Sequence, residues 1–297
     1  TDAFSSLQPG RPRPVGVEIP VNIWNSKVDK IPQDLVGYPE SGPILNTDQI
    51  EEAAALLNKS HKPIIIVGGG AQNFSVEVNQ LSKSLSAPVI AFRNGHGIMD
   101  GSSQLSVTLP AGRELWGECD VVLAIGTRCQ TAQMQWGIDD HMKIIHIDID
   151  DEEIGRINTP EIGINADLKD ALPLLLDNMS GKEKHRNDWV KKVSNVKLKY
   201  NKLFAEKLAP QLAWLAAIRA ELPKNGIFVD ELTQVGYVSR FAFESYSPRT
   251  FLSTGYQGTL GWGLASALGA AHARRDVPVV SISGDGGALY TISELAT

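Results

Sequence analysis

From residue 46 onward, continuous apolar runs alternate with segments whose apolar residues recur at helical spacing. Continuous apolar runs such as "KPIIIVGGG" and "DVVLAIG" end in glycine, which predicts buried parallel strands entering tight turns. Segments such as "NTDQIEEAAALLNKS" and "SVEVNQLSKSLS" carry apolar residues at helical spacing, with Thr47 as the expected N-cap of the first. Strands that alternate with helices predict an α/β fold whose parallel sheet is covered by helices on both faces.

The same alternation continues to about residue 180. "APVIAF" and "KIIHIDID" predict strands, and "DEEIGRI" and "DLKDALPLLLDNM" predict helices, although Pro173 makes the start of the second uncertain. We therefore predict a central Rossmann-like parallel-sheet domain over residues 46–180. A Lys-rich, helix-permissive linker over 181–208 follows it.

A second α/β unit is predicted over residues 209–297. It begins with the amphipathic "QLAWLAAIRAELP", and strands are expected in "GIFVDE", "TFLST" and "VPVVSISGDGG". Near the other end, "PVGVEIP" predicts one short strand within residues 1–22, and residues 23–45 look like a linker. Because a single strand forms no sheet, we expect it to belong to a unit whose other elements lie outside this sequence.

Composition narrows the function classes. The net charge of −6 over 297 residues argues against a nucleic-acid partner, which requires a basic surface. No apolar run approaches the roughly 20 residues that span a membrane, so no membrane partner is expected. The two cysteines, Cys119 and Cys129, lack disulfide-framework or metal-ligand spacing, which favours a reduced, cytoplasmic setting.

The glycine turn at residues 68–70 is the first candidate site. A dinucleotide fingerprint needs a third glycine, where Asn73 stands, and an acidic residue after the second strand, where Arg93 and Asn94 stand. NAD binding is therefore disfavoured, and a tight strand-to-helix turn is favoured. A turn whose amides meet a phosphate of another ligand is left open.

A group of three aspartates after "IIHI" is the second candidate. Asp148, Asp150 and Asp151 could hold a cation, but first-turn acids of the helix predicted in "DEEIGRI" are the favoured interpretation. His146 within the preceding strand is expected to be a core histidine.

The segment "SISGDGGALYTISEL" is the third candidate site and the most specific of the three. Gly284, Gly286 and Gly287 free the backbone, so that its amides can face an anion. Asp285 would repel that anion unless a cation such as Mg²⁺ lay between them. The alternative is an ordinary turn with an Asx cap. Upstream, the small residues of "GTLGWGLASALGAA" allow close approach to a flat ligand or simply tight helix packing.

The order of these motifs resembles the thiamine-diphosphate enzymes of the acetolactate synthase type, a group that also contains benzoylformate and pyruvate decarboxylases. The resemblance covers essentially the whole chain and is strongest over residues 250–297. Family members have a pyrimidine-binding, a central and a diphosphate-binding domain. It implies that residues 1–22 hold the last strand of the first domain, that 46–180 form the second, and that 209–297 form about the first half of the third.

The resemblance also implies a cofactor site for thiamine diphosphate and Mg²⁺. Asp285 matches the metal ligand, Gly258 the residue whose carbonyl accepts from the aminopyrimidine, and Leu260 the bulky apolar residue beneath the cofactor. The cofactor-binding set is Gln234, Gly258, Leu260, Gly284, Gly286 and Gly287. Arg128 resembles a flavin-contacting position, but its neighbours do not match flavin motifs, so FAD is conceivable and is not predicted.

The implied activity of the full-length parent is acetolactate synthase-like C–C bond formation or cleavage on a 2-oxo acid, in a homodimer or tetramer. Alternatives are a 2-oxo acid decarboxylase, a non-catalytic fragment, and a nucleotide-binding domain. The family's second metal ligand, an asparagine, is expected beyond Thr297, and the glutamate that protonates the pyrimidine is expected before Thr1. No catalytic residue is therefore predicted within the chain, which we expect to be inactive alone.

Overall fold

The protein contains two parallel sheets. The structure is a computed structural model, and it describes residues 7, 11–12, 14–27, 42–179, 186–255 and 257–297. The first sheet has six strands in the order β3-β2-β1-β4-β5-β6, and every neighbouring pair is parallel. This is the doubly wound order, so the predicted Rossmann-like sheet is confirmed. Its strands are β1 Pro63–Val67, β2 Val89–Ala91, β3 Ser106–Val107, β4 Val121–Ile125, β5 Lys143–Asp148 and β6 Ile162–Asn165.

Helices cover both faces of this first sheet. Alternate residues of β1 point to opposite faces: Ile65 packs in one apolar cluster, and Ile64 and Ile66 pack in the other. This two-sided burial explains why the strand is apolar at every position. The helices are α1 Thr47–Lys59, α2 Ser75–Leu85 and α4 Leu168–Asp177 on one face, and α3 Leu109–Trp116 and α5 Asn187–Lys207 on the other.

Side-chain hydrogen bonds define the N-caps of two predicted helices. The predicted cap Thr47 is the first residue of α1, and Asn46 is the N-cap because its Oδ1 accepts from the Asp48 amide at 3.0 Å. Asp167 caps α4 in the same way, and Pro173 lies inside the helix. The helix tolerates the proline at the cost of one backbone hydrogen bond.

The predicted helix in "DEEIGRI" is wrong, because residues 151–155 form turns. Glu153 points inward there and is 7% exposed, held by Arg11 at 2.6 Å and Arg156 at 2.7 Å. Gly155 has φ of +77°, which interrupts helical backbone. The sequence pattern also did not predict β3, α3, β6 or a π-helical turn over Ala132–Trp136.

The strand predicted in "PVGVEIP" is not formed. Residues 14–20 have no regular secondary structure and are followed by a 3-10 turn over Val21–Ile23. These residues have no neighbouring strand among the described residues, and a strand needs a partner for its ladder hydrogen bonds. The assignment of residues 1–22 to another domain remains a prediction.

The second sheet has three parallel strands in the order β8-β7-β9. Its core is aromatic: Phe228 of β7 stacks on Phe243 at 4.2 Å between ring centroids and on Phe251 of β8 at 5.7 Å. The strands are β7 Ile227–Val229, β8 Phe251–Leu252 and β9 Val279–Ser281, and the helices are α6 Ala209–Glu221, α7 Gln234–Ala242, α8 Trp262–Ala273 and α9 Asp285–Tyr290. A second α/β unit is thus confirmed.

The start of the connecting helix α5 is fastened to the ends of two helices of the first unit. Arg186 is 8% exposed, and its Nε and Nη2 donate to the Ser60 carbonyl at 2.9 and 2.8 Å. The same guanidinium reaches the carbonyls of Leu57 and Leu85, at the C-terminal ends of α1 and α2. A cation there meets the negative ends of two helices. Within the part of the chain that the structure describes, no helix is both long and apolar enough to cross a bilayer.

Candidate cofactor-binding site

Three turns meet at one edge of the second sheet. Because β7, β8 and β9 are parallel, the turns after them emerge together, as in other open α/β sheets that bind ligands. A Cβ added at Gly258 would lie 3.4 Å from Leu232, and one added at Gly284 would lie 3.7 Å from Thr233. The predicted positions 258, 284 and their neighbours are therefore close in space, although they come from three separate segments.

A buried carboxylate that the sequence did not single out lies at the centre of these turns. Glu231 is fully buried, and its Oε1 accepts from the Gly261 amide at 2.6 Å. Its Oε2 accepts from the Gly263 amide at 3.2 Å and from the Ser283 hydroxyl at 2.5 Å. Glu231 lies three residues before the predicted Gln234, and only the three-dimensional structure shows that it bridges the other two turns.

The turn before α8 depends on glycine at position 261. Gly261 has φ of +86°, and a Cβ there would lie 2.8 Å from the Cβ of Tyr290. Its carbonyl accepts from the Thr291 hydroxyl at 2.9 Å. The glycine turn and the end of the following α9 segment are therefore packed together.

Asp285, the predicted metal ligand, is exposed at the start of α9. Its Oδ1 accepts from the Gly286 amide at 2.8 Å, and a Cβ added at Gly286 would meet nothing within 4 Å. The described residues contain no group of three or more His, Cys, Asp or Glu side chains that could hold a metal by themselves. One accessible carboxylate beside open space fits Mg²⁺, which takes one or two protein carboxylates together with phosphate oxygens.

Two further predicted residues border the same edge. Gln234 is exposed at the first position of α7, and its Oε1 accepts from Gln211 Nε2 at 3.4 Å. Leu260 exposes 50% of its surface and precedes the Gly261 turn. Gly287, in contrast to Gly286, is buried against the Glu231 carboxylate. Gly287 can therefore offer a ligand only its backbone.

Two family models match this chain. The model described as "Thiamine pyrophosphate enzyme, central domain" matches residues 50–175, and "Thiamine pyrophosphate enzyme, C-terminal TPP binding domain" matches residues 233–297. The chain belongs to the thiamine pyrophosphate enzymes. The first match contains the whole six-stranded sheet, and the second contains β8, β9 and every predicted cofactor-binding residue.

This chain has curated relatives whose names are of two kinds. It is 27% identical over 307 residues to acetolactate synthase isozyme 1 large subunit of Escherichia coli and 32% identical over 320 residues to chloroplastic acetolactate synthase 2 of Nicotiana tabacum. It is 29% identical over 301 residues to a probable 2-ketoarginine decarboxylase of Pseudomonas aeruginosa. These alignments use 100%, 100% and 99% of the chain but 54%, 47% and 54% of the relatives, so it spans about half their length.

The glycine turn at residues 68–70 of the central domain is closed by protein backbone. The Gly68 amide donates to the Ile125 carbonyl at 3.2 Å, and the Gly70 amide donates to the Gly126 carbonyl at 3.0 Å. A Cβ at Gly70 would lie 2.9 Å from the Cα of Gly126. These contacts account for the glycines as a tight turn, because the two amides already have protein acceptors.

The aspartates after β5 do not form a metal group. Asp148 is 7% exposed and accepts from the Asp150 amide at 3.1 Å, and burial raises the pKa of its carboxyl. His146 is a core histidine, as expected: its Nε2 lies 2.8 Å from the Thr127 carbonyl, and burial lowers its pKa. Arg128 lies 3.3 Å from the Glu153 carboxylate and is therefore engaged in an ion-pair cluster.

Both cysteines of the chain are free and buried. Burial raises the pKa of Cys129 to about 12 and raises that of Cys119 as well. Neither thiol is therefore set up as a nucleophile, because the reactive form of cysteine is the thiolate. The reduced, cytoplasmic setting expected from the cysteine count stays a prediction.

Proposed function

We propose that the edge formed by the turns after β7, β8 and β9 holds the diphosphate of thiamine diphosphate through Mg²⁺. The observation that carries the proposal is the exposed Asp285 carboxylate within a glycine turn, inside the segment matched by the TPP-binding model. When bound, the cofactor would supply the electron sink for breaking or forming a bond at a carbonyl carbon.

Each predicted residue has a role in that proposal. Asp285 would ligate Mg²⁺, and the backbone at Gly284, Gly286 and Gly287 would approach the diphosphate closely because no side chain intervenes. The remaining contacts would come from the Gly258 carbonyl to the aminopyrimidine, the exposed apolar side chain of Leu260 beneath the cofactor, and Gln234 near the diphosphate.

For the whole protein we propose C–C bond formation or cleavage on a 2-oxo acid, of the acetolactate synthase type. Two of the relatives named above are acetolactate synthases, and the alignments use the whole of this chain. A homo-oligomeric enzyme, a small-molecule 2-oxo acid substrate and a cytoplasmic setting are parts of the same proposal.

A 2-oxo acid decarboxylase is the second candidate. The probable 2-ketoarginine decarboxylase of Pseudomonas aeruginosa is 29% identical over 99% of the chain, close to the value for the Escherichia coli synthase. Product analysis separates the two reactions in the whole protein. A hydroxy-ketone acid formed from two 2-oxo acid molecules supports the synthase, and an aldehyde as the only organic product supports the decarboxylase.

Calorimetric titration with thiamine diphosphate, with and without Mg²⁺, tests the binding proposal. We expect Mg²⁺ to strengthen binding to the wild-type chain and Asp285→Asn to remove that enhancement. Residues that only orient metal ligands are worth about 10- to 100-fold in affinity, so losing a ligand should cost at least about tenfold. Asp48→Asn is the matched control, because Asp48 is also exposed in the first turn of a helix. Equal Mg²⁺ enhancement in wild type and Asp285→Asn would contradict the proposal.

A further inference from the structure

We infer that Glu231 is a positioning residue that sets the spacing between the two glycine turns of the candidate cofactor site. This inference rests on the proposed function for its purpose, whereas the geometry that carries it belongs to the chain itself. Glu231 contacts the turn before α8 on one side and the turn before α9 on the other.

The hydrogen bonds of Glu231 divide between the two turns. The amides of Gly261 and Gly263 lie at the N-terminal end of α8, a 12-residue helix whose first amides have no helical acceptor. The Ser283 hydroxyl comes from the chain between β9 and α9. A buried carboxylate that accepts three such bonds is satisfied without an arginine or lysine partner.

Glycine is required on both sides of this carboxylate. A Cβ added at Gly287 would overlap Oε1 of Glu231 and lie 2.9 Å from its Cδ. A Cβ added at Gly263 would lie 2.6 Å from Oε2 and 2.9 Å from the Cβ of Glu231. The carboxylate therefore occupies the space that side chains at both glycines would need, and its length sets how far apart the turns lie.

The two turns carry the residues proposed to hold the cofactor. Gly258 and Leu260 precede Gly261, and Asp285 lies two residues after Ser283. Among the described residues, the Asp285 side chain has a hydrogen bond only from the neighbouring Gly286 amide, so its placement depends on the turn that carries it. A change at Glu231 should therefore shift Asp285 relative to Gly258 without touching either.

The first experiment measures amide hydrogen exchange by NMR, without cofactor, in wild type and Glu231→Gln. Glutamine has the same shape but one acceptor oxygen, so its NH₂ must face the amide of either Gly261 or Gly263. We expect protection of that amide to fall at least about tenfold, because a hydrogen bond to a charged group is lost. The Phe228 and Val229 amides in β7 are the internal control, since general loosening would change them too. Unchanged protection at both glycines would overturn the inference.

The second experiment uses side-chain length. Glu231→Asp withdraws the carboxylate from position 287 but leaves the Cβ that faces position 263. Gly287→Ala should lower the thermal midpoint in the wild-type background and lower it little or not at all in the Glu231→Asp background. Gly263→Ala should remain harmful in both. Equal damage from Gly287→Ala in the two backgrounds would contradict the inference. If Gly287→Ala alone does not fold, the double variant decides. A double variant that folds supports the inference. A double variant that does not fold, when Glu231→Asp alone does, contradicts the inference.

A cofactor titration separates this inference from the proposed function. With Mg²⁺ present, we expect Glu231→Gln to bind thiamine diphosphate several-fold more weakly than wild type while β7 keeps its protection. If the wild type binds no cofactor, the proposed function is refuted. The hydrogen-exchange result then decides by itself whether Glu231 positions the two turns. Wild-type affinity in Glu231→Gln, together with lost protection at Gly261 or Gly263, would refute the link between the turns and the cofactor.

Discussion

The imidazole of His96 stacks on the ring of Phe251, with centroids 4.5 Å apart and planes at 25°. His96 follows β2 of the first sheet, and Phe251 lies in β8 of the second, so the contact joins the two units. The Nε2 atom of His96 is buried without a hydrogen-bond partner among the described residues. Burial lowers the pKa of His96 to about 4, because the charged imidazolium loses its hydration.

This burial predicts a pH-dependent stability. As the pH is lowered, the unfolded chain binds a proton at His96 near pH 6.5, whereas the folded chain binds it only near pH 4. The neutral His96 therefore does not lower the free energy of unfolding above pH 6.5, and protonation of the unfolded chain lowers it below that pH. The free energy of unfolding should fall by up to about 3 kcal/mol between these values as the pH is lowered. Urea unfolding at pH 7.5 and pH 4.5 measures the change.

His96→Phe is the control for that prediction. Phenylalanine keeps an aromatic ring against Phe251 and carries no titratable group. Burial also lowers the pKa of His146, so the test is the difference between wild type and variant. An equal loss of stability in both proteins would show that His96 does not contribute.

Removal of the Ser283 hydroxyl should destabilise the protein by about 1–2 kcal/mol, because the buried Glu231 carboxylate loses one donor. Ser281→Ala is a matched control on the same segment, since the Ser281 Oγ is buried and has no hydrogen-bond partner within the described residues. That variant should be neutral or slightly stabilising. Chemical denaturation of both variants compares them, and equal effects would contradict the prediction.

Arg186→Met should cost about 2–4 kcal/mol in the free energy of unfolding, because the carbonyls at the ends of α1 and α2 lose a buried charged donor. Lys199→Met on the same helix is the control. Lys199 pairs with Glu114 at 2.6 Å on the surface, and such pairs contribute about 0–1 kcal/mol. A small effect of Arg186→Met would mean that water replaces the guanidinium at these carbonyls.

Gly269→Ala in α8 should stabilise the protein by about 0.5–1 kcal/mol, because alanine favours helix and a Cβ there would meet nothing within 4 Å. Gly263→Ala in the same helix should destabilise it, since its Cβ would lie 2.6 Å from the Glu231 carboxylate. Thermal midpoints measured at two protein concentrations check both. A loss of stability in Gly269→Ala would indicate that another surface covers this part of α8.

Much of the fold could be predicted from local sequence. The apolar runs before residues 68 and 126 identified two buried strands, because a strand covered on both faces is apolar throughout. The run before residue 284 identified β9, which is half-buried. The short β3 and β6 were not predicted because neither lies in a continuous apolar run: β3 contains Ser106, and β6 contains Gly163 and Asn165. The helix expected in "DEEIGRI" is wrong because the buried Glu153 pairs with Arg11 and Arg128, which lie far away in the sequence.

By itself, the sequence determined the α/β class, the two units and the glycine turn that carries Asp285, because hydrophobic period and glycine freedom are properties of neighbouring residues. Only the tertiary structure decided what those glycines face. Glu231 meets Gly261 and Gly263 across 30 and 32 residues and Ser283 across 52. The Gly68 turn likewise closes on Gly126 through backbone contacts. Glu231 can contact both turns only because the parallel strands bring distant segments of the chain to the same edge of the sheet. No local sequence pattern shows that these segments are close together.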